Sequence, residues 1–311
     1  MAVTGATGFI GQALIAALVR DKRQVLALTR HPRPDSEYVK WLTGTLEDTQ
    51  VLERLVSGVS AIVHCAGRVR GRTLEEFLRT NVQGTAGLVQ ASSRQHPLPR
   101  LLLISSLAAR EPQLSWYARS KYFGEQRLIE HAGEMAWTVF RPAAVYGPGD
   151  RELSPLFRAT RYGMLPMTGS PSSRFGLLHV DDLVAAILSW LDANIPPRGV
   201  YELDDGTPGG YDRQSVATIA GQVWGRPVTI LPIPAALVRL LAGINLGLAR
   251  LFRYSPMLTP GKVRELLHND WVSDNLPLTV ALGWRPKVHL CDALPAAILP
   301  ADKTLSRRIN P

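Results

Sequence analysis

Short, almost unbroken apolar runs alternate with longer amphipathic stretches through the first half of the chain. The runs are Met1–Thr4, Gln24–Thr29, Ala61–His64, Leu101–Ser105 and Thr138–Arg141. Between them, apolar residues return every three or four positions over Phe9–Arg20, Gln50–Val56, Leu74–Arg94 and Tyr117–Ala132, which is the period of a helix. Strands that are apolar throughout have no solvent face, so both sides of their sheet must be covered. Strands separated by helices join through right-handed crossovers, and the pattern predicts a doubly wound parallel α/β sheet. Beyond Pro142 the alternation weakens and Gly and Pro recur, as in "YGPGD", "TGSPSS" and "DDGTPGGYD". The expected organisation is a doubly wound α/β domain over residues 1–150, with a strand and helix added from about 176–203. A smaller α+β region over 151–311 is expected to bind substrate.

Composition alters this picture little. The 311 residues are 46% hydrophobic and 20% charged, enough for a core that needs no covalent staples. Cys65 and Cys291 are the two cysteines and lie far apart in sequence. Neither a disulfide framework nor a metal site is expected, and a reducing cytoplasm is the expected compartment. Four residues precede the first glycine of the loop discussed next, too few for a signal peptide. The first strand is therefore short, or the natural chain starts earlier. The formal charge of +9 favours phosphorylated or otherwise anionic partners. No lysine-rich run with interleaved aromatics accompanies it, so nucleic acid is not an expected partner.

The chemistry begins with "VTGATGFIGQALIAALVR", where a minimal strand meets an amphipathic helix through three glycines. Such a turn lets backbone N–H groups and a helix N-terminus approach a pyrophosphate. Gly5 would permit the tight turn, Gly8 the close approach and Gly11 the contact of helix with strand. Thr7, Phe9 and Ile10 complete the expected cradle. The second strand ends in Thr29 and Arg30, where an acidic residue would bond both ribose hydroxyls of NAD. An arginine pairs instead with a 2′-phosphate, so NADP(H) is favoured over NAD.

Tyr117 and Lys121 stand four apart and share one face of a helix. A free tyrosine titrates near ~10 and is a poor acid or base at neutral pH. A nearby ammonium stabilises the phenolate and brings proton transfer into range. Tyr117 could then protonate a carbonyl oxygen as hydride reaches its carbon. A hydroxyl at the preceding strand end, Ser105 or Ser106, would hold that oxygen.

Taken together, "TGATGFIG", "HCAG", "NVQGT", "ISS", "YARSK", "RPAAVYGPGD" and "HVDD" resemble the extended short-chain dehydrogenase/reductase superfamily. The likeness is to its epimerase/dehydratase and 3-beta-hydroxysteroid-dehydrogenase-like branch. It spans nearly the whole chain and implies a Rossmann-type sheet. It also implies Tyr117 as proton donor or acceptor, Lys121 as its partner and a ligand of the nicotinamide ribose, and Ser106 as the substrate-polarising hydroxyl. Leu46, Ala66 and Gly67 would lie along the adenine side of the cofactor, and Pro142, Ala143 and Val145 beside the nicotinamide. Asn81 would support the lysine, or serve as a buried hydrogen-bonding residue without a catalytic part. Thr45 stands where this branch usually places an adenine-binding aspartate. The short spacing from Ser106 to Tyr117 leaves little loop for a sugar nucleotide. His179 is expected to be structural or substrate-side, with Asp181 or Asp182 capping the following helix.

The stretch "LPIPAALVRLLAGINLGLARLFRYSPMLTP" is the most apolar of the chain. Arg239, Arg250 and Arg253 fall on nearly one side of a helix, and Arg239 argues against a transmembrane span. A buried helix is the first reading, then a lid over an apolar substrate, then a membrane-surface helix. The expected activity is NADP(H)-dependent reduction or oxidation of a carbonyl or secondary alcohol, with an apolar small-molecule substrate. A sugar-nucleotide epimerase or dehydratase that retains NAD is the alternative. A non-catalytic dinucleotide sensor or assembly protein is a second alternative, disfavoured by Ser106, Tyr117 and Lys121. The resemblance also implies a homodimer paired through the helix that carries Tyr117.

Overall fold

A computed structural model describes residues 1–299. Its centre is an all-parallel sheet of seven strands: β1 (Ala2–Thr4), β2 (Val25–Thr29), β3 (Val39–Thr43), β4 (Ala61–His64), β5 (Arg100–Ile104), β6 (Trp137–Pro142) and Gly199–Leu203. The spatial order is Gly199–Leu203, β6, β5, β4, β1, β2, β3. The chain runs outward from β1 to β3, then crosses back to β4 and continues the other way. The carboxyl ends of β1 and β4 therefore border the switch point, where open α/β sheets bind their ligands.

Alternate side chains of each strand enter separate cores. Val3, Ala27, Val63 and Leu102 pack with Leu14 and Leu18 of α1 (Phe9–Arg20) and with Ile187 and Trp190 of the Val180–Asp192 helix. Ala2, Ile62, Leu101 and Leu103 pack with Leu52 and Leu55 of α2 (Thr49–Val56) and with Leu88 and Leu128. Both faces are covered, which is why the strands read as unbroken apolar runs.

Two elements differ from the sequence pattern. β3, with the sequence VKWLT, leaves Lys40 and Thr43 exposed at the sheet edge, and a criterion of unbroken apolarity passes over it. The single helix expected over Leu74–Arg94 is α3 (Leu74–Leu78), a π turn at Arg79–Gln83, and α4 (Gly84–Ser93). A π turn inserts one residue into the helical ladder and re-aims side chains, often at functional sites. Here it carries the buried Asn81.

Beyond β6 a further core gathers Tyr146, Phe157, Leu165, Leu290 and Leu294, beneath the helices Ser154–Arg161, Arg213–Trp224 and Leu290–Ala297. The Ala235–Phe252 helix stands outside it and overturns the expectation of a buried helix. Val238, Ala242 and Ala249 are its buried residues, and Val238 and Ala242 pack with Val263 of the Pro260–Leu267 helix. Leu240, Ile244 and Leu251 are 61%, 51% and 72% exposed. One narrow stripe suffices for a helix resting on a single neighbour, and the other flank is left to solvent. By length and composition alone this helix could also cross a membrane.

Candidate active site

The glycine turn is built by sterics. Gly5 has φ +68°, and a Cβ there would stand 2.5 Å from the backbone N of Ala66 at the end of β4. On Gly11 it would stand 2.1 Å from the Gly5 carbonyl oxygen. Neither distance is tolerable, so β1, α1 and the chain after β4 can approach only with glycine at both positions. Gly8 is the N-cap of α1, with no side chain to cap the helix and no acid in the first turn. The unpaired N–H groups and the positive end of the helix dipole thus face the switch-point crevice, which suits a pyrophosphate. Gly8, Thr7, Phe9 and Ile10 are partly or fully exposed around this turn.

At the end of β2 the two named residues part company. Thr29 is buried, and its hydroxyl donates to the His31 carbonyl at 2.9 Å, which shapes the turn. Arg30 is exposed and forms no ion pair among the described residues, whereas Arg33 lies over the Trp41 ring at 5.1 Å. Leu46 is half-buried and packs on Gly84, where a Cβ would meet its Cδ1 at 2.8 Å. Thr45 accepts the Glu47 N–H, while Asp48 caps α2 through the Val51 N–H at 3.1 Å. The carboxylate missing from position 45 is thus found three residues on, in a structural cap.

α5 (Trp116–His131) carries Tyr117, Lys121 and Glu125 along one side. Its N-cap is Ser115, whose hydroxyl oxygen accepts the Ala118 N–H at 2.9 Å. Ser106 and Ser105 point oppositely, as neighbours at a strand end must. The Ser106 hydroxyl lies beside the Tyr117 phenol, and its oxygen accepts the Ala108 N–H at 3.2 Å. Ser105 is buried and donates to Glu125 instead. This separates the two serines that β5 alone left open. Contrary to the expected lowering by Lys121, burial pushes the Tyr117 pKa up to about 12; the neighbouring Ser106 hydroxyl draws it down and the Glu265 carboxylate adds to the rise.

Lys121 is buried and donates from Nζ to the Ile104 carbonyl at 2.7 Å. Burial brings its pKa down to about 8, while the Glu125 carboxylate works in the opposite direction. A Cβ on Gly67 would come 3.2 Å from Nζ and 3.5 Å from Asn81 Oδ1, so these three groups converge. Asn81 Nδ2 donates to Ser120 Oγ at 2.8 Å and to the Arg68 carbonyl at 3.0 Å, and Oδ1 accepts the Arg68 N–H at 2.7 Å. Ser120 in turn donates to the Tyr117 carbonyl at 2.8 Å. Asn81 therefore clamps α5 through the residue beside Lys121.

Ala143 and Pro142 are buried at the end of β6, and Val145 is half-buried. His179 has a structural role, as expected, but its own ring and not an aspartate caps the Val180–Asp192 helix, Nδ1 accepting the Asp181 N–H at 3.3 Å. Burial lowers its pKa, in keeping with an uncharged acceptor nitrogen. Asp182 instead accepts the Lys287 and Val288 N–H groups at 2.9 and 2.8 Å.

Three buried groups near the site were not foreseen. Glu125 forms a two-pronged pair with Arg141, Nη2 to Oε2 at 2.6 Å and Nε to Oε1 at 3.0 Å. Its spacing of four from Lys121 was a readable signal. His64 joins β4 to β1 through Thr4 Oγ1 at 2.5 Å and to α4 through Thr85 Oγ1 at 3.0 Å. Burial and Lys121 bring its pKa down to about 3, so it stays neutral. Glu265 accepts from the α5 cap Ser115 and from Lys262 Nζ at 2.8 Å. No local signal could pair residues 150 positions apart.

The model of the NAD dependent epimerase/dehydratase family matches residues 1–203. The chain belongs to this family. It is an extended short-chain dehydrogenase/reductase and an enzyme of the reductase and epimerase kind. A ceramide reductase of Caulobacter vibrioides is 35% identical over 297 residues, covering 94% of this chain and 91% of that one. A 2-alkyl-3-oxoalkanoate reductase of Stenotrophomonas maltophilia is 29% identical over 66% of this chain and 70% of its own length. Among solved structures, MoeE5 in complex with UDP-glucuronic acid and NAD matches with a TM-score of 0.73 at 23% identity, covering 99% of this chain and 98% of the other. That identity carries the shared fold alone.

Proposed function

We propose that the protein is an NADPH-dependent reductase that converts a ketone borne on an apolar, lipid-like molecule into a secondary alcohol. The observation that carries this reading is the Ser106 hydroxyl placed beside the Tyr117 phenol, with the buried Lys121 one turn along the same helix; burial keeps the Tyr117 proton on through the neutral range. A tyrosine in that state is an acid, ready to donate to a carbonyl oxygen, rather than a base. The reductases among the relatives, of a ceramide and of a 2-alkyl-3-oxoalkanoate, support the direction and the substrate class.

The residues fit a bound dinucleotide: Gly5 and Gly11 leave room for backbone approach, and the open N-terminus of α1 matches a pyrophosphate. When bound, the cofactor supplies hydride to the carbonyl carbon. Arg30 is free to pair with a 2′-phosphate, and nothing acidic stands at the end of β2 to prefer the ribose hydroxyls of NAD. Ser106 would hold the carbonyl oxygen, and Tyr117 would give up its proton to it. Lys121 would offset the charge left on the phenolate oxygen. Glu125, tied to Ser105 and Arg141, keeps the lysine end of α5 against β5 and β6.

The test is turnover of long-chain ketones with NADPH and NADH by the wild type, Arg30→Ala and Tyr117→Phe. NADPH preference that falls about 10- to 100-fold in Arg30→Ala, as loss of a charge-assisted pair implies, supports the reading. Purified protein that carries NAD through dialysis and acts on UDP-sugars would establish the epimerase alternative.

A further inference from the structure

We propose that the Ala235–Phe252 helix lies in the plane of an anionic membrane surface and docks the enzyme there. The helix has 18 residues and only 17% of them are buried. Leu237, Leu240, Ile244, Leu248 and Leu251 recur at three- and four-residue spacings and are all exposed. They make one continuous apolar stripe opposite the buried Val238, Ala242 and Ala249. Exposed Leu, Ile and Phe in such a row are rare on a soluble monomer and mark an interaction surface.

Charge says what covers it. Arg239 and Arg250, eleven apart and so on one side of the helix, flank the stripe, and Arg253 follows at the C-terminus. Between Asp212 and Glu265 the sequence contains no acid, while Arg226, Lys262 and Arg264 add further positive charge. An apolar face bordered by cations is the pattern of an interfacial helix: leucines enter the acyl boundary and arginines meet anionic headgroups. A second copy laid on the same face would set one basic flank against another. A spanning orientation would pull Val238 and Ala242 off the Pro260–Leu267 helix and bury both internal arginines in hydrocarbon.

The placement also suits the site. Helices that pack side by side have axes about 8–10 Å apart. The Pro260–Leu267 helix carries Glu265, which holds the α5 cap two residues before Tyr117. A cavity of ≈ 330 Å³ between the two regions is lined by Leu114, Arg239, Arg264 and Leu267.

The test is sedimentation of the full chain with sucrose-loaded vesicles of phosphatidylcholine, with and without phosphatidylglycerol. Wild type sediments with the anionic vesicles and is released as salt rises. Arg239→Gln with Arg250→Gln lowers that partition roughly 25-fold, about fivefold for each charge, and leaves neutral vesicles unaffected. Leu240→Asp, Ile244→Asp and Leu251→Asp together abolish it, with melting temperature and NADPH binding retained. Wild type that stays in the supernatant with both vesicles overturns the proposal. So does a wild-type dimer that the triple variant converts to monomer, because a second copy then covers the stripe. Vesicle binding that resists an alkaline carbonate wash overturns the in-plane orientation. Since no substrate or turnover enters the readout, it stands or falls apart from the reductase reading.

Discussion

Two helices of similar length invert the usual relation between polarity and burial. α5 contains Tyr117, Lys121 and Glu125, yet Lys121 and Glu125 are buried, Glu125 completely. The Ala235–Phe252 helix is almost wholly apolar and lies largely in the open. Each buried polar side chain of α5 has a partner: Glu125 has Ser105 and Arg141, Lys121 has the Ile104 carbonyl, and Ser120 has Asn81. Buried polar groups are tolerated only when satisfied in this way. Such groups are placed for chemistry, because in low dielectric each charge acts strongly on its neighbours. The exposed leucines have no partner in the fold, and so they point to one outside it.

Changes to α5 should have the largest effects. Tyr117→Phe keeps the ring and removes the proton, and should lower turnover about 10²- to 10⁴-fold with NADPH affinity nearly unchanged in a fluorescence titration. If turnover survives, the proton donor is another group and the contrast between the helices loses its chemical meaning. Glu125→Ala leaves Arg141 without its carboxylate in a mostly buried site and should cost about 3–5 kcal/mol in urea unfolding. A loss below about 1 kcal/mol would show that water or another acid takes the place of Glu125.

A smaller effect concerns pH. Tyr117, raised to about 12, keeps its proton through the neutral range, so reduction should be level there. Above about 8 Lys121 loses its charge, and with it the stabilisation of the phenolate formed as the proton leaves, so the reduction rate should fall. Alcohol oxidation needs the phenolate and should rise with pH. Glu265→Gln removes a carboxylate that holds the Tyr117 pKa up, and should move the oxidation limb to lower pH. A purely structural role for Glu265 predicts reduced stability with an unmoved profile. The smallest effect belongs to the other helix: Leu240→Ser should change unfolding free energy by no more than about 0.5 kcal/mol, as for other exposed sites. A loss of several kcal/mol would mean the helix is covered in the native molecule after all.

Much of the nucleotide half was legible because its signals are local. Gly11 is dictated by a contact with the turn just before it, Gly5 shows in the tight turn it makes although its close neighbour is the distant Ala66, and strands covered on both faces announce themselves as apolar runs. β3 escaped because an edge strand is half wet and reads as polar. The π turn at Arg79–Gln83 escaped because one inserted residue barely disturbs a helical period. His179 was read as structural and is, but the cap expected of Asp181 or Asp182 escaped, since the His179 ring takes that position.

The order of residues alone pointed to the parallel sheet, the glycine turn after its first strand, and Tyr117 with Lys121 on one helix face after a strand ending in Ser105 and Ser106, because each shows in local pattern and spacing. Tertiary structure decided which serine meets the tyrosine, that Glu265 reaches the α5 cap across 150 residues, and which side of the Ala235–Phe252 helix is covered. These depend on which surfaces meet. Apolarity measures how much a helix gains by being buried, and only packing reveals whether the protein itself provides the cover.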